Sequence, residues 1–111
     1  MKSPAGDLDL TVENSVNLGY GRLYHLEFDD FLTDDPAITE TMVAILPEGS
    51  SQPTYYHVFD LSQCRETGDF SWFFMTPRHG SQRLKLVFLS GKSMYGPGIY
   101  QNVTLSTAAY Q

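Results

Sequence analysis

Residues 69–75 read DFSWFFM, and how this stretch is taken decides the fold. In an extended chain successive side chains point to opposite faces, so Phe70, Trp72 and Phe74 share one face and Phe73 and Met75 the other. The same period of two recurs on both sides of it. Leu8, Leu10 and Val12 alternate with Asp7, Asp9, Thr11 and Glu13; Tyr24, Leu26 and Phe28 alternate with His25, Glu27 and Asp29. Further runs are TMVAIL (41–46), TYYHVFDL (54–61), RLKLVFLS (83–90) and IYQNVTLS (99–106). Turn-rich pieces separate them: PEGSSQP, RETGD, TPRHGS and GKSMYGPG. No segment keeps apolar residues at i, i+3, i+4 and i+7 over ten residues. Short strands at regular spacing predict an all-β chain folded as an antiparallel β-sandwich of about seven strands. Leu26, Phe28, Val43 or Met42, Trp72, Leu86, Phe88 and Val103 are the expected core. Because 69–75 is apolar on both faces, it is expected in the middle of a sheet, with its second face under a loop or a partner.

The chain has 111 residues, and a chain of this length buries roughly 65% of the surface it exposes when unfolded. Residues 7–107 are read as a single domain, 1–6 as an unstructured lead-in or a start cut from a longer chain, and 108–111 as a tail. Only 18% of residues are charged while seven Tyr, seven Phe and Trp72 are present, a composition that folds rather than stays disordered. The net charge of −6 argues against nucleic acid, whose phosphates need a basic patch. Residues 1–60 hold eleven acids against Lys2 and Arg22, and the remainder holds Glu66 and Asp69 against five Lys or Arg. Such halves complement each other when their strands pair. Cys64 is the single cysteine, so no internal disulfide forms. No run approaches the ~18 apolar residues of a membrane span, and MKSPAGDLD lacks the apolar stretch of a signal peptide. An extracellular or cell-surface setting follows if the chain is a piece of a longer exported protein.

DFSWFFMTP leading into LKLVFLSG, closed by YGPGIYQNVTLS, resembles an immunoglobulin-like or fibronectin type III module. The resemblance spans the whole chain but is carried mostly by its last third. It implies an immunoglobulin-like β-sandwich and a contact role exercised through loops gathered at one end. The family's paired cysteines are missing and Trp72 sits on the fifth run rather than the third. The period itself leaves a jelly roll or another sandwich open.

Candidate sites are few. LYHLEFDDF (23–31) and YYHVFDLSQ (55–63) echo each other, each with Tyr-His, an aliphatic residue, Phe and Asp. Tyr24 and Phe28 share a face opposite His25, whereas His57 lies on the same face as Phe59. The two histidines are thus expected in different surroundings rather than at one metal, which would also need a third ligand. The acidic segment 28–40 offers Asp29, Asp30, Asp34 and Asp35 as oxygen ligands for calcium, against the plainer reading of a solubilising loop with a turn at Pro36. In the loop GKSMYGPG (91–98), Met94 and Tyr95 are either a cap on the core or a contact surface, with Lys92 beside them and Tyr100 just after. The connections 30–40, 62–68 and 91–98 are expected at one end of the sandwich. Tyr55, Tyr56, Trp72, Phe73 and Tyr100 could stack on sugar rings. No G-x-S-x-G elbow, phosphate loop or H-E-x-x-H occurs, and Cys64 with His57 lacks an orienting third group.

The sequence therefore reads as a non-catalytic, acidic accessory module that uses no cofactor and binds a protein partner, with carbohydrate or calcium-dependent binding as the alternative.

Overall fold

Alternation dictates most of the architecture. The structure, a computed structural model, describes residues 2–9, 15–50, 52–90 and 98–109, with backbone alone for 2–9, 89, 90 and 109. Its elements are β1 (Lys2–Asp9), β2 (Ser15–Leu18), β3 (Arg22–Glu27), β4 (Asp30–Leu32), β5 (Glu40–Pro47), β6 (Tyr55–Asp60), α1 (Leu61–Thr67), β7 (Ser71–Met75), β8 (Leu84–Ser90) and β9 (Ile99–Ala109).

The strands form two antiparallel sheets. One has the order β1-β9-β3-β7 with β4 also on β9; the other is β2-β8-β5-β6. The pairs nest: β5 with β6 innermost, then β3 with β7, β2 with β8, and β1 with β9 outermost, alternating between the sheets. This is the strand order of a jelly roll. In an immunoglobulin order the first two strands share a sheet, whereas here β1 and β2 lie in different ones. The resemblance therefore holds at the level of a two-sheet antiparallel sandwich.

Between the sheets lies an aromatic core. Phe28 meets Phe59 edge-on at 4.9 Å and Tyr100 edge-on at 5.1 Å, and Phe31 and Phe88 close on the same tyrosine. Full burial of one such ring is worth about 1.5–3 kcal/mol, with roughly 0.5–1.5 kcal/mol more for each well-placed ring pair. Leu26, Phe28, Leu86, Phe88 and Val103 are buried as expected, Val43 rather than Met42 is the buried one of that pair, and Trp72 is half-buried at the margin.

Three elements lie beyond the period-two reading. β2 and β4 are only four and three residues long. Helix α1 is two turns, with Leu61 its buried residue and Cys64 half-buried. Its ends are nonetheless written in the chain. The Asp60 carboxylate accepts from the Gln63 N–H, and Gly68 ends the helix at φ 75°, where its N–H donates to the Cys64 carbonyl. β1 begins at Lys2, inside the expected lead-in, because a backbone ladder against β9 needs no apolar alternation.

The uneven charge is used between elements. Arg65 pairs with Asp30 at 3.0 Å and Arg83 approaches Glu48 at 3.9 Å, each a base from the second half on an acid from the first.

Candidate functional site

β7 is not central. It is the last strand of its sheet, and among the described residues no strand pairs with its other edge. β6 likewise ends the second sheet. Both open edges lie on the same side of the sandwich, since His57 of β6 stacks on Trp72 of β7, centroids 5.4 Å apart and planes 15° from parallel.

Alternation then sorts the β7 side chains. Phe74 turns inward and stacks on Tyr24 at 5.2 Å, while Trp72 leans on Phe74 at 4.6 Å. Phe73 and Met75 turn outward, 62% and 51% exposed, and Tyr56 on β6 is 63% exposed. Leu23, Thr54, Tyr55, Tyr56, Trp72 and Phe73, together with Phe74 and Met75, line an open groove of about 610 Å³. None of these side chains carries a charge at neutral pH, so an occupant gains mainly by burying apolar and aromatic surface.

The histidine echo resolves around β7. His25 lies flat on Phe73 at 3.9 Å and 3° on one face of the strand, while His57 faces Trp72 and meets Phe59 edge-on at 4.6 Å on the other. They touch one strand from opposite faces and do not converge. Burial lowers the His57 pKa below its ordinary value by disfavouring the charged imidazolium.

The carboxylates of the acidic segment have separate partners. Asp29 Oδ2 accepts from Asn102 Nδ2 at 2.7 Å. Asp30 Oδ1 takes the Arg65 guanidinium and the Phe31 N–H. Asp35 Oδ1 accepts from the Ala37 N–H and forms a turn around Pro36, and Asp34 is exposed. Among the described residues no group of three or more His, Cys, Asp or Glu is placed to hold a metal ion.

Tyr100 does not belong to a contact surface. It is fully buried and its hydroxyl is hydrogen-bonded to Thr41 across the sheets, because its phase in β9 turns it into the core. Burial raises its pKa well above the ordinary phenol range. Lys92, Met94 and Tyr95 lie outside the described residues. The connection through β4 and helix α1 do meet at one end, where Arg65 also donates to the Phe31 carbonyl. The groove, reaching Thr54 and Met75, lies towards the other end. Of the aromatics singled out in the sequence, Tyr55, Tyr56, Trp72 and Phe73 line the groove and Tyr100 does not. Met75 was signalled by the two-faced apolar character of β7, whereas Leu23 on β3 and Thr54 just before β6 carried no such signal.

Compared with family models, curated proteins and solved structures, the chain matches none. Among the described residues no helix is long and apolar enough to cross a membrane.

Proposed function

We propose that the protein is a non-catalytic β-sandwich module, part of a larger surface or secreted assembly, that binds a protein partner along the β6–β7 side. The observation that carries this reading is the exposure of Tyr56, Phe73 and Met75 around an uncharged groove at two open sheet edges. Aromatic residues and methionine are favoured at protein interfaces, and a sheet edge adds backbone donors and acceptors for an extended segment.

The exposed aromatic side chains of Tyr56 and Phe73 also favour a second reading, a saccharide stacked in the groove. One experiment separates the two. The protein is screened against a displayed library of extended peptides and against a glycan array, each with wild type, Tyr56→Ala and Phe73→Ala. Peptides lost from both variants support the protein-contact reading. Glycans lost from both replace it with the saccharide reading, and ligands indifferent to both substitutions refute a site in this groove.

A further inference from the structure

We propose that the open edge of β7 is a self-association surface on which a second copy of this chain lays its own β7 antiparallel, with the twofold axis at Phe73. The proposal rests on the reading of the β6–β7 side as a protein-contact site and names the partner.

The backbone sets the register. Phe28 N–H donates to the Phe70 carbonyl at 3.1 Å and Thr76 N–H to the Arg22 carbonyl at 2.9 Å. In an antiparallel ladder the backbone groups of alternate residues point to alternate sides, so Phe70, Trp72, Phe74 and Thr76 face β3. Ser71, Phe73 and Met75 therefore turn their N–H and C=O groups to the open edge. An outward set centred on one residue is complementary to itself. With Phe73 opposite the second copy's Phe73 and Ser71 opposite its Met75, about six backbone hydrogen bonds form and none is left over. The two Phe73 rings become a cross-strand aromatic pair, each flanked by its own His25.

Among the described residues the edge of β7 shows little of the usual protection. Sheet edges are normally blunted by Lys, Pro, bulges or shortness. β1, at the far side of the same sheet, has Lys2, Pro4 and two register shifts, and β2 is four residues long. Ser71–Met75 has no Lys or Pro and pairs with β3 without a shift.

Charge selects the orientation and the occupant. At the first end of β7 stand Asp69 and, beside Ser71 on β3, Glu27; at the other stand Arg22 and Arg78. Antiparallel self-pairing sets Asp69 opposite the second copy's Pro77, next to its Arg78, and does so twice. A parallel arrangement would set like on like. Two chains of net charge −6 repel at long range, so the local match favours one docking geometry over others.

The test is the oligomeric state of the full chain by sedimentation from about 1 µM to 1 mM, with salt held constant. A dimer is expected for wild type, with Phe73→Lys monomeric and unchanged in circular dichroism. Ser71→Pro removes an outward N–H at the first residue of β7, where the fold does not need it. It too should be monomeric, and it serves if Phe73→Lys fails to fold. Asp69→Lys should raise the dissociation constant tenfold or more, and Asp69→Lys with Arg78→Asp should restore it. A wild type that stays monomeric at 1 mM, or a dimer that survives in folded Phe73→Lys or Ser71→Pro, overturns the proposal. If that monomer still binds extended peptides in a Phe73-dependent way, self-association alone fails. If peptide binding is absent as well, the contact reading falls with it.

Discussion

The imidazole of His57 lies almost parallel to the Trp72 indole and closes the gap between two sheet edges that share no backbone pairing. Partial burial there disfavours the charged form of the ring. Its folded-state pKa is below the unfolded value of about 6.5, so the unfolded chain takes up the proton first as pH falls. The His57 contribution to stability is full above about 6.5 and is lost as pH drops through the folded-state pKa. The melting temperature should hold from pH 8 to about 6.5 and decline as pH falls below that value. His57→Gln should flatten that segment of the curve. An identical decline in the variant would show that another group is responsible.

Neighbours on β7 should respond oppositely to truncation. Phe74 is buried against Tyr24 and Trp72, so Phe74→Ala should cost about 3–5 kcal/mol in denaturant unfolding. Phe73→Ala, measured at a concentration where the chain is monomeric, should change stability by about 0.5 kcal/mol or less. A large loss at Phe73 would mean that its stack on His25 belongs to the fold rather than to a surface.

Tyr100 and Thr41 link the sheets through their buried hydroxyls. Tyr100→Phe should cost about 1–3 kcal/mol, because the Thr41 hydroxyl then loses a partner where water does not reach. Combining it with Thr41→Val should cost less than the two changes added together, since removing both polar groups leaves neither unsatisfied. Strict additivity in that cycle would deny the coupling.

Calcium at millimolar concentration should leave the melting temperature unchanged. Asp29 is engaged by Asn102, Asp30 by Arg65, and Asp35 by its own turn, so binding would have to displace these contacts. A chelator-reversible rise would instead place a cation on the folded state.

Residue alternation carried the fold class and the core because it reports directly which face of a strand is buried. It predicted Leu26, Leu86 and Val103 at the centre without any knowledge of partners, and left Val43 and Met42 as alternatives, of which Val43 is the buried one. It could not tell β7 from a central strand, since two apolar faces arise from burial between layers or from an edge made to be covered. Sheet order is set by pairing between distant segments, to which the period of two is blind. The helix was readable from Asp60, Gln63 and Gly68 but is too short to show a periodic face. The groove was half legible: Tyr55, Tyr56 and Phe73 stood out by type, whereas Leu23 and Thr54 join them only through the fold.

The nested order of pairs has a kinetic meaning. β5 and β6 are joined by a short connection, but Lys2 pairs with Ser106, so the outermost pair must close the whole span from residue 2 to residue 106. Loop closure of that length is entropically costly before its contacts form, and chains dominated by such pairings fold in milliseconds to seconds rather than microseconds. On a ribosome the first strand has no partner until the last one has emerged. For that interval β3 is also open on its β9 side, and the growing chain carries more unpaired edge than the finished molecule does.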